Sequence, residues 1–147
     1  MTLNIEVLQT SFQLVQDSNQ DFPAAFYGHL FADYPEVRPL FANTAMDQQG
    51  DHLLKSLKFV VANLRDSEQL TNALRGLGTR HVSYGVLPKH YPMVGSSLLK
   101  TLANLAGEAW TPEVKQAWVD AYAVITTVML EGADYSIESV QLSDIDP

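Results

Sequence analysis

The stretch LRGLGTRHVSYGVLPKHYPMVGSSL, residues 74–98, carries two helical stripes joined by a short break. Leu74, Leu77 and His81 recur at three- and four-residue spacing, so they share one helix face and the imidazole projects from an apolar stripe. Arg80, beside it, points toward a rim where it could meet a carboxylate. Gly85 and Pro88 end that helix. A second helix, from about Tyr91 to Ala106, presents Val94, Leu98, Leu102 and Leu105 on one side. A lone histidine near a helix end ordinarily serves the helix dipole or faces solvent; this one sits on an apolar face, which keeps a ligand role open beside those two.

Working outward, the same period recurs almost everywhere. Residues 4–16 place Ile5, Leu8, Phe12 and Val15 on one stripe before DSNQD interrupts it. Residues 22–33 carry Phe22, Phe26, Leu30 and Phe31, with Pro23 tolerated in a first turn. Tyr34–Pro35 marks a boundary, and 35–41 is long enough only for a short helical piece. After the loop ANTA, Met46, Gln49, Leu53, Leu57, Val60 or Val61, and Leu64 form a long stripe in which Gln49 is the polar interruption. Asp66, three residues before Gln69, resembles a capping box, and Thr111–Pro112 is a good cap for a last helix through Val114, Trp118, Tyr122, Ile125 and Met129. The acidic segment 133–147 is weakly patterned and is expected to fray. No run alternates with period two, so the reading is an all-α single domain, residues 1–147, of about seven helices, one very short. Short helices flanking longer ones suit a box-like packing around a cavity better than a regular four-helix bundle.

Composition narrows the chemistry. The chain has 147 residues, 46% of them hydrophobic and 18% charged, which suits one core. Nine Lys and Arg against 17 Asp and Glu give a net charge of -8, the wrong sign for tracking a phosphate backbone, so nucleic acid is not an expected partner. With no cysteine there is no disulfide, iron–sulfur cluster, thiolate ligand or thioether-attached haem. The first twenty residues lack the basic flank and apolar core of an export signal, and no stretch reaches roughly 18 apolar residues; the expected location is cytoplasmic, away from membranes. The histidines 29, 52, 81 and 90 contain no i,i+4 pair and no HExxH, and no glycine-rich phosphate loop or GxSxG occurs. One axial imidazole to a cofactor that brings its own four nitrogens remains. Tyr27 sits in the aromatic helix that could cover the same cavity, and Gln49 on another. Each has an ordinary alternative, as a core aromatic and a solvated amide respectively.

The segments FYGHLFADYPEVRPLF, MDQQGDHLLKSLKFVVANL, LRGLGTRHVSYGVLPKHYPMVGSSLLKTLANLAG and TPEVKQAWVDAYAVI together resemble the globin family. The likeness is to bacterial single-domain globins related to the haem domain of flavohaemoglobins and, more distantly, to neuroglobin. It runs from about Leu8 to Gly132 and implies the globin fold, a three-over-three helical sandwich around noncovalent haem b. By position it makes His81 the proximal iron ligand and Phe41 the aromatic against the porphyrin. It makes Tyr27 and Gln49 the catalytic distal pair, with Leu53 the apolar residue one turn further on. Gln49 rests on the flanking Met46 and Leu53 and could slip to Gln48. His52 is implied at the haem edge near a propionate, and Leu77, Arg80, Val86, Tyr91, Val94 and Leu98 are implied along the rest of the cofactor. The chain departs from the flavohaemoglobin pattern where a glutamate of the last helix joins the proximal histidine. Tyr135 takes that place, with Asp134 adjacent and Glu131 one turn earlier. Without a carboxylate, the second nitrogen of His81 is expected to donate to a backbone carbonyl near Leu77, giving a less basic ligand.

The activity so implied is reversible binding of O2, CO and NO, with oxidation of nitric oxide to nitrate. The chain ends too soon to hold a flavin domain, so turnover is expected to need an external flavin- or iron–sulfur-dependent reductase, and the chain itself is expected to be a monomer or weak dimer. A haem-based gas sensor without turnover is the alternative reading, and a helical interaction domain lacking haem is a third.

Overall fold

The computed structural model describes residues 3–18 and 20–134. Six α-helices carry the fold: α1 (Ile5–Gln16), α2 (Phe22–Asp33), α3 (Met46–Ala62), α4 (Ser67–Ser83), α5 (His90–Ala106) and α6 (Pro112–Gly132). Tight 3-10 turns at Pro35–Phe41 and Gly107–Ala109 complete the described helices, and there is no strand among the described residues. The expected segment 133–147 falls outside the described residues apart from Ala133 and Asp134.

Four of the six starts are written in the local sequence. Asn4, Asp21, Asp66 and Thr111 each accept the backbone N–H three residues ahead, from Val7, Ala24, Gln69 and Val114, and each such cap stabilises its helix by about 1 kcal/mol. The capping box expected at Asp66 is only half made. Its backbone N–H donates to the Asn63 carbonyl at 3.0 Å, so the return bond from Gln69 has no donor left to satisfy. Asn4 caps α1 from outside it, and α5 begins at His90, one residue earlier than its apolar stripe suggests. Leu64, on the expected stripe of α3, lies past that helix's end.

The helix α2 is apolar around its circumference, and it lies between α3, α5 and the first 3-10 turn. Phe22, Phe26, Tyr27 and Leu30 are all buried there. Two apolar clusters result. The larger joins Leu8, Phe12, Phe26, Tyr27, Leu98, Leu99 and Trp118, with Phe41, Leu53 and Val94 packed on its edge. The smaller joins Val60, Leu70, Leu74, Tyr91, Met129 and Leu130, with Leu77 and Val86 on its edge. Burying each such leucine or phenylalanine contributes roughly 1.5–3 kcal/mol.

The helix that holds His81 is set by glycine. A Cβ on Gly78 would meet the Met129 backbone, and one on Gly132 would meet the Arg75 backbone, so α4 and α6 approach to backbone contact. Thr79 Oγ1 closes the same seam, donating to the Gly132 carbonyl at 2.6 Å. At the end of α4, Gly85 takes φ +85°, a conformation that a side chain resists, and turns the chain toward α5.

Candidate functional site

His81 sits in the last turn of α4, half-buried. Its Nδ1 lies 2.7 Å from the carbonyl oxygen of Leu77, one turn back. A carbonyl only accepts, so Nδ1 carries the proton and Nε2 keeps its lone pair. Burial lowers the pKa of this imidazole below its ordinary value; the Leu77 hydrogen bond opposes that and neighbouring Arg80 adds to it. His81 therefore stays neutral. The tautomer is the one an axial ligand needs, and the orienting partner is a carbonyl rather than a carboxylate. Of the acidic residues considered for that role, Glu131 is turned to Arg75 at 3.3 Å and Asp134 is exposed. Tyr135 lies outside the described residues.

The peptide after His81 is held in place. The N–H of Val86 donates to the His81 carbonyl at 3.1 Å, and the N–H of Leu87 donates to Nδ1 of His90 at 2.9 Å. His90 is thus a buried acceptor that fixes the loop between α4 and α5. Tyr91, next to it, is buried, and its carbonyl accepts from the Tyr122 hydroxyl at 2.6 Å. Burial raises the Tyr122 phenol far above its ordinary range, so it remains a donor.

On α2 and α3, Gln49 Nε2 donates to the Tyr27 hydroxyl oxygen at 3.1 Å. Tyr27 is buried, and burial raises its pKa, only partly offset by the Gln49 contact, so the phenol keeps its proton. An aromatic cage surrounds it: the Tyr27 ring stands 4.9 Å from Phe26, 5.9 Å from Phe31 and 5.6 Å from Phe41, centroid to centroid. Gln48 is exposed whereas Gln49 is half-buried, so the register with Gln49 inward is the one that meets Tyr27.

The expected site residues therefore divide into two groups. Tyr27, Gln49 and Phe41 come together, and Tyr27, Phe41, Leu53, Val94 and Leu98 share the larger apolar cluster. Leu77, Val86 and Tyr91 share the smaller cluster, around the helix of His81. His52 and Arg80 are exposed, and Arg80 makes no ion pair with the described residues. The small apolar cavity lined by Leu57, Val61, Leu98, Trp118 and Tyr122 lies in the core and touches neither His81 nor Tyr27. No three His, Asp or Glu side chains come together as a metal site among the described residues. Sequence reasoning missed Gly78, His90 and Tyr122. Only Gly78 carried a signal, as one of two glycines, with Gly76, inside a strong helical pattern.

A family model described as Globin matches residues 24–129. With that match and an all-helical fold, the chain belongs to the globin family. It is 30% identical over 128 residues to a flavohemoprotein of Bacillus subtilis, across 86% of this chain and 32% of that protein. To a flavohemoprotein of Vibrio cholerae it is 29% identical over 136 residues, across 90% of this chain and 34% of that one. The chain spans about a third of the length of the curated relatives it matches. Among solved structures, a bacterial globin from Campylobacter jejuni superposes with a TM-score of 0.76 at 27% identity, covering 88% of this chain and 94% of that one. An engineered carbene transferase, a candidate nitric oxide dioxygenase from Rhodothermus marinus, superposes at 0.79 with 25% identity, covering 90% and 94%.

Family membership implies haem binding, and the residues present fit that group. A neutral imidazole has its Nε2 lone pair uncommitted, and two apolar clusters present half-buried edges of the kind a flat apolar macrocycle covers. The phenol–amide pair supplies hydrogen-bond donors for a small polar ligand.

Proposed function

We propose that this chain is a globin holding haem b noncovalently, with His81 as the metal ligand. In this reading it binds O2, CO and NO reversibly and oxidises nitric oxide to nitrate when an external flavin- or iron–sulfur-dependent reductase supplies electrons. It works in the cytoplasm as a monomer or weak dimer. When bound, haem supplies an iron centre with one open position for a diatomic gas and the redox chemistry by which O2, NO and one electron become nitrate.

The observation that carries this reading is the commitment of His81 Nδ1 to the Leu77 carbonyl, which leaves Nε2 as a fixed, neutral donor. Phe41, Leu53, Leu77, Val86, Val94 and Leu98 exclude water with apolar surface. His52, exposed, would meet a propionate at the rim, and Arg80 would stand at the haem edge beside the proximal ligand. Tyr91, locked through its carbonyl to Tyr122, holds the start of α5 in the cluster that includes Leu74 and Leu77 of the ligand helix. Tyr27 and Gln49 do the polar work. The amide donates to the phenol oxygen, and the phenolic proton is left to donate to the bound gas. A buried hydrogen bond of that kind is worth roughly 1–3 kcal/mol, about 10- to 100-fold in ligand release, and slow release suits turnover better than bulk transport. The test is to purify the full chain, titrate it with haemin, record the Soret band, and measure nitrate formed per haem with limiting reductant. A chain that takes up no haem overturns the reading. A haem-loaded chain that forms no nitrate overturns its enzymatic part.

A further inference from the structure

Between Glu68 and Glu108 the chain has no carboxylate side chain, yet it carries Arg75, Arg80, Lys89 and Lys100. All 17 Asp and Glu lie elsewhere, with the remaining five cations. Four of the nine cations therefore fall in a stretch of α4, α5 and the loop between them that has no carboxylate of its own and bears His81, with Glu36 of the first 3-10 turn acting on His90 from outside it. Arg75 and Lys100 are paired with Glu131 and Asp33 at 3.3 and 3.0 Å. Arg80 and Lys89 are exposed and make no ion pair among the described residues.

Within the ten residues that those two cations bracket lie Val82, Tyr84 and Leu87, exposed by 44%, 59% and 44%. The fourth exposed large apolar side chain among the described residues, Leu14, is on α1. Unlike Leu77 and Val86, these three pack into neither cluster. Tyr84 connects the surface to the site, since its ring centroid stands 5.7 Å from that of His81. An apolar centre with a charged rim is the anatomy of a docking face.

We propose that Arg80, Val82, Tyr84, Leu87 and Lys89 form the docking face for an acidic electron-carrying protein with a flavin or iron–sulfur centre. The inference rests on the haem reading above, because the iron is what requires the electron. Charge selects both partner and orientation. The acidic remainder of this chain repels an acidic carrier, while Arg80 and Lys89, offset in part by Glu36 near His90, attract it next to the imidazole. A second copy of this chain is a poor occupant, because a two-fold contact would set Arg80 and Lys89 against their own kind. An anionic bilayer would gain two cations and meet a chain of net charge -8.

The test uses the ferric, haem-loaded full chain and stopped-flow reduction by a reduced plant-type [2Fe–2S] ferredoxin, a strongly acidic carrier, at low and high salt. Reduced lumiflavin, which needs no docking face, is the reference donor. Wild-type reduction by ferredoxin should slow as salt rises. Leu87→Glu combined with Lys89→Glu should lower the low-salt rate by about tenfold, and Leu87→Lys should raise it, while lumiflavin rates stay equal. Equal ferredoxin rates in all three proteins overturn the proposal. So does a wild-type dimer in sedimentation that L87E dissolves, or co-sedimentation with phosphatidylserine vesicles that the same change abolishes. If the double variant fails to fold, L87K and K89E singly carry the test. Absence of a Soret band would fail the haem reading before any rate is measured.

Discussion

Gln49 and Tyr27 reach each other from different helices, the amide Nε2 donating to the phenol oxygen at 3.1 Å. The direction of that bond matters more than its length. The acceptor side of the phenol is occupied and the phenolic proton is not, so the pair acts as one oriented donor rather than as two competing groups.

Opposite chemistry is expected at His81. Replacing His81→Ala removes the only imidazole whose Nδ1 is tied to its own helix. The variant should lose most haem during desalting, and added imidazole should restore part of the Soret absorbance. A variant that keeps full occupancy and an unaltered ferrous spectrum would show that another residue binds the iron.

Ferrous iron without added gas should be five-coordinate. His52 is exposed, and the Gln49 amide is engaged with Tyr27. The visible spectrum of the dithionite-reduced protein should show one broad band, unchanged in His52→Ala. Sharp, split bands that disappear in H52A would instead identify His52 as a sixth ligand.

Much of this was legible in the sequence because it is local or periodic. The apolar stripes, the caps at Asp66 and Thr111, and the breaks at Pro35 and Gly85 all act over a few residues, and the helices follow them closely. The grouping of Tyr27 with Gln49 was legible only through the resemblance to a family, since 22 residues and a turn separate them. Three features were not legible. Whether Asp66 makes one or two capping bonds depends on where its own N–H goes. That His90 is a buried acceptor depends on a loop geometry that period and composition do not encode. The role of Gly78 depends on which helix packs against it, and spacing does not name a neighbour.

Two glycines should respond in opposite ways to alanine. A Cβ at Gly78 meets the backbone of Met129, which cannot rotate aside, so Gly78→Ala should destabilise by about 1–3 kcal/mol. A Cβ at Gly28 meets nothing within 4 Å in mid-helix, so Gly28→Ala should stabilise by about 0.5–1 kcal/mol. Urea denaturation of the two variants checks both signs. Equal midpoints for G78A and wild type would mean that α4 and α6 do not approach as closely as described.

Acid should weaken the fold through His90. Burial, reinforced by Lys89 and opposed by Glu36, holds this imidazole below its ordinary 6.5, and its neutral Nδ1 accepts from Leu87. Between the lowered native pKa and 6.5 the unfolded chain binds more protons, so stability is fully present above 6.5 and declines as pH falls through that window. His90→Gln keeps an acceptor but cannot titrate. Denaturation from pH 7.5 to 5 should show wild type losing stability relative to H90Q; parallel curves would remove His90 from the account.

The most exposed expectation concerns how oxygen is held. Tyr27 is a buried phenol kept protonated by its surroundings, with its oxygen already accepting from Gln49, so donation is the role left to it. A phenol is a better proton donor than a neutral amide, and the cage of Phe26, Phe31 and Phe41 offers no substitute. Tyr27→Phe keeps the ring packing and deletes only the hydroxyl, at a cost of roughly 1–3 kcal/mol to bound oxygen. Oxygen release from the haem-loaded protein should therefore accelerate by about 10- to 100-fold and autoxidation should quicken. The less polar carbon monoxide should bind almost unchanged. Gln49→Ala should have a smaller effect, because it removes the group that orients the donor and leaves the donor itself. Nitrate formed per haem under limiting reductant should fall in Y27F for the same reason. Stopped-flow displacement of oxygen by carbon monoxide decides the matter: release rates for wild type and Y27F that agree within about twofold would transfer the stabilising role to Gln49 or to an ordered water.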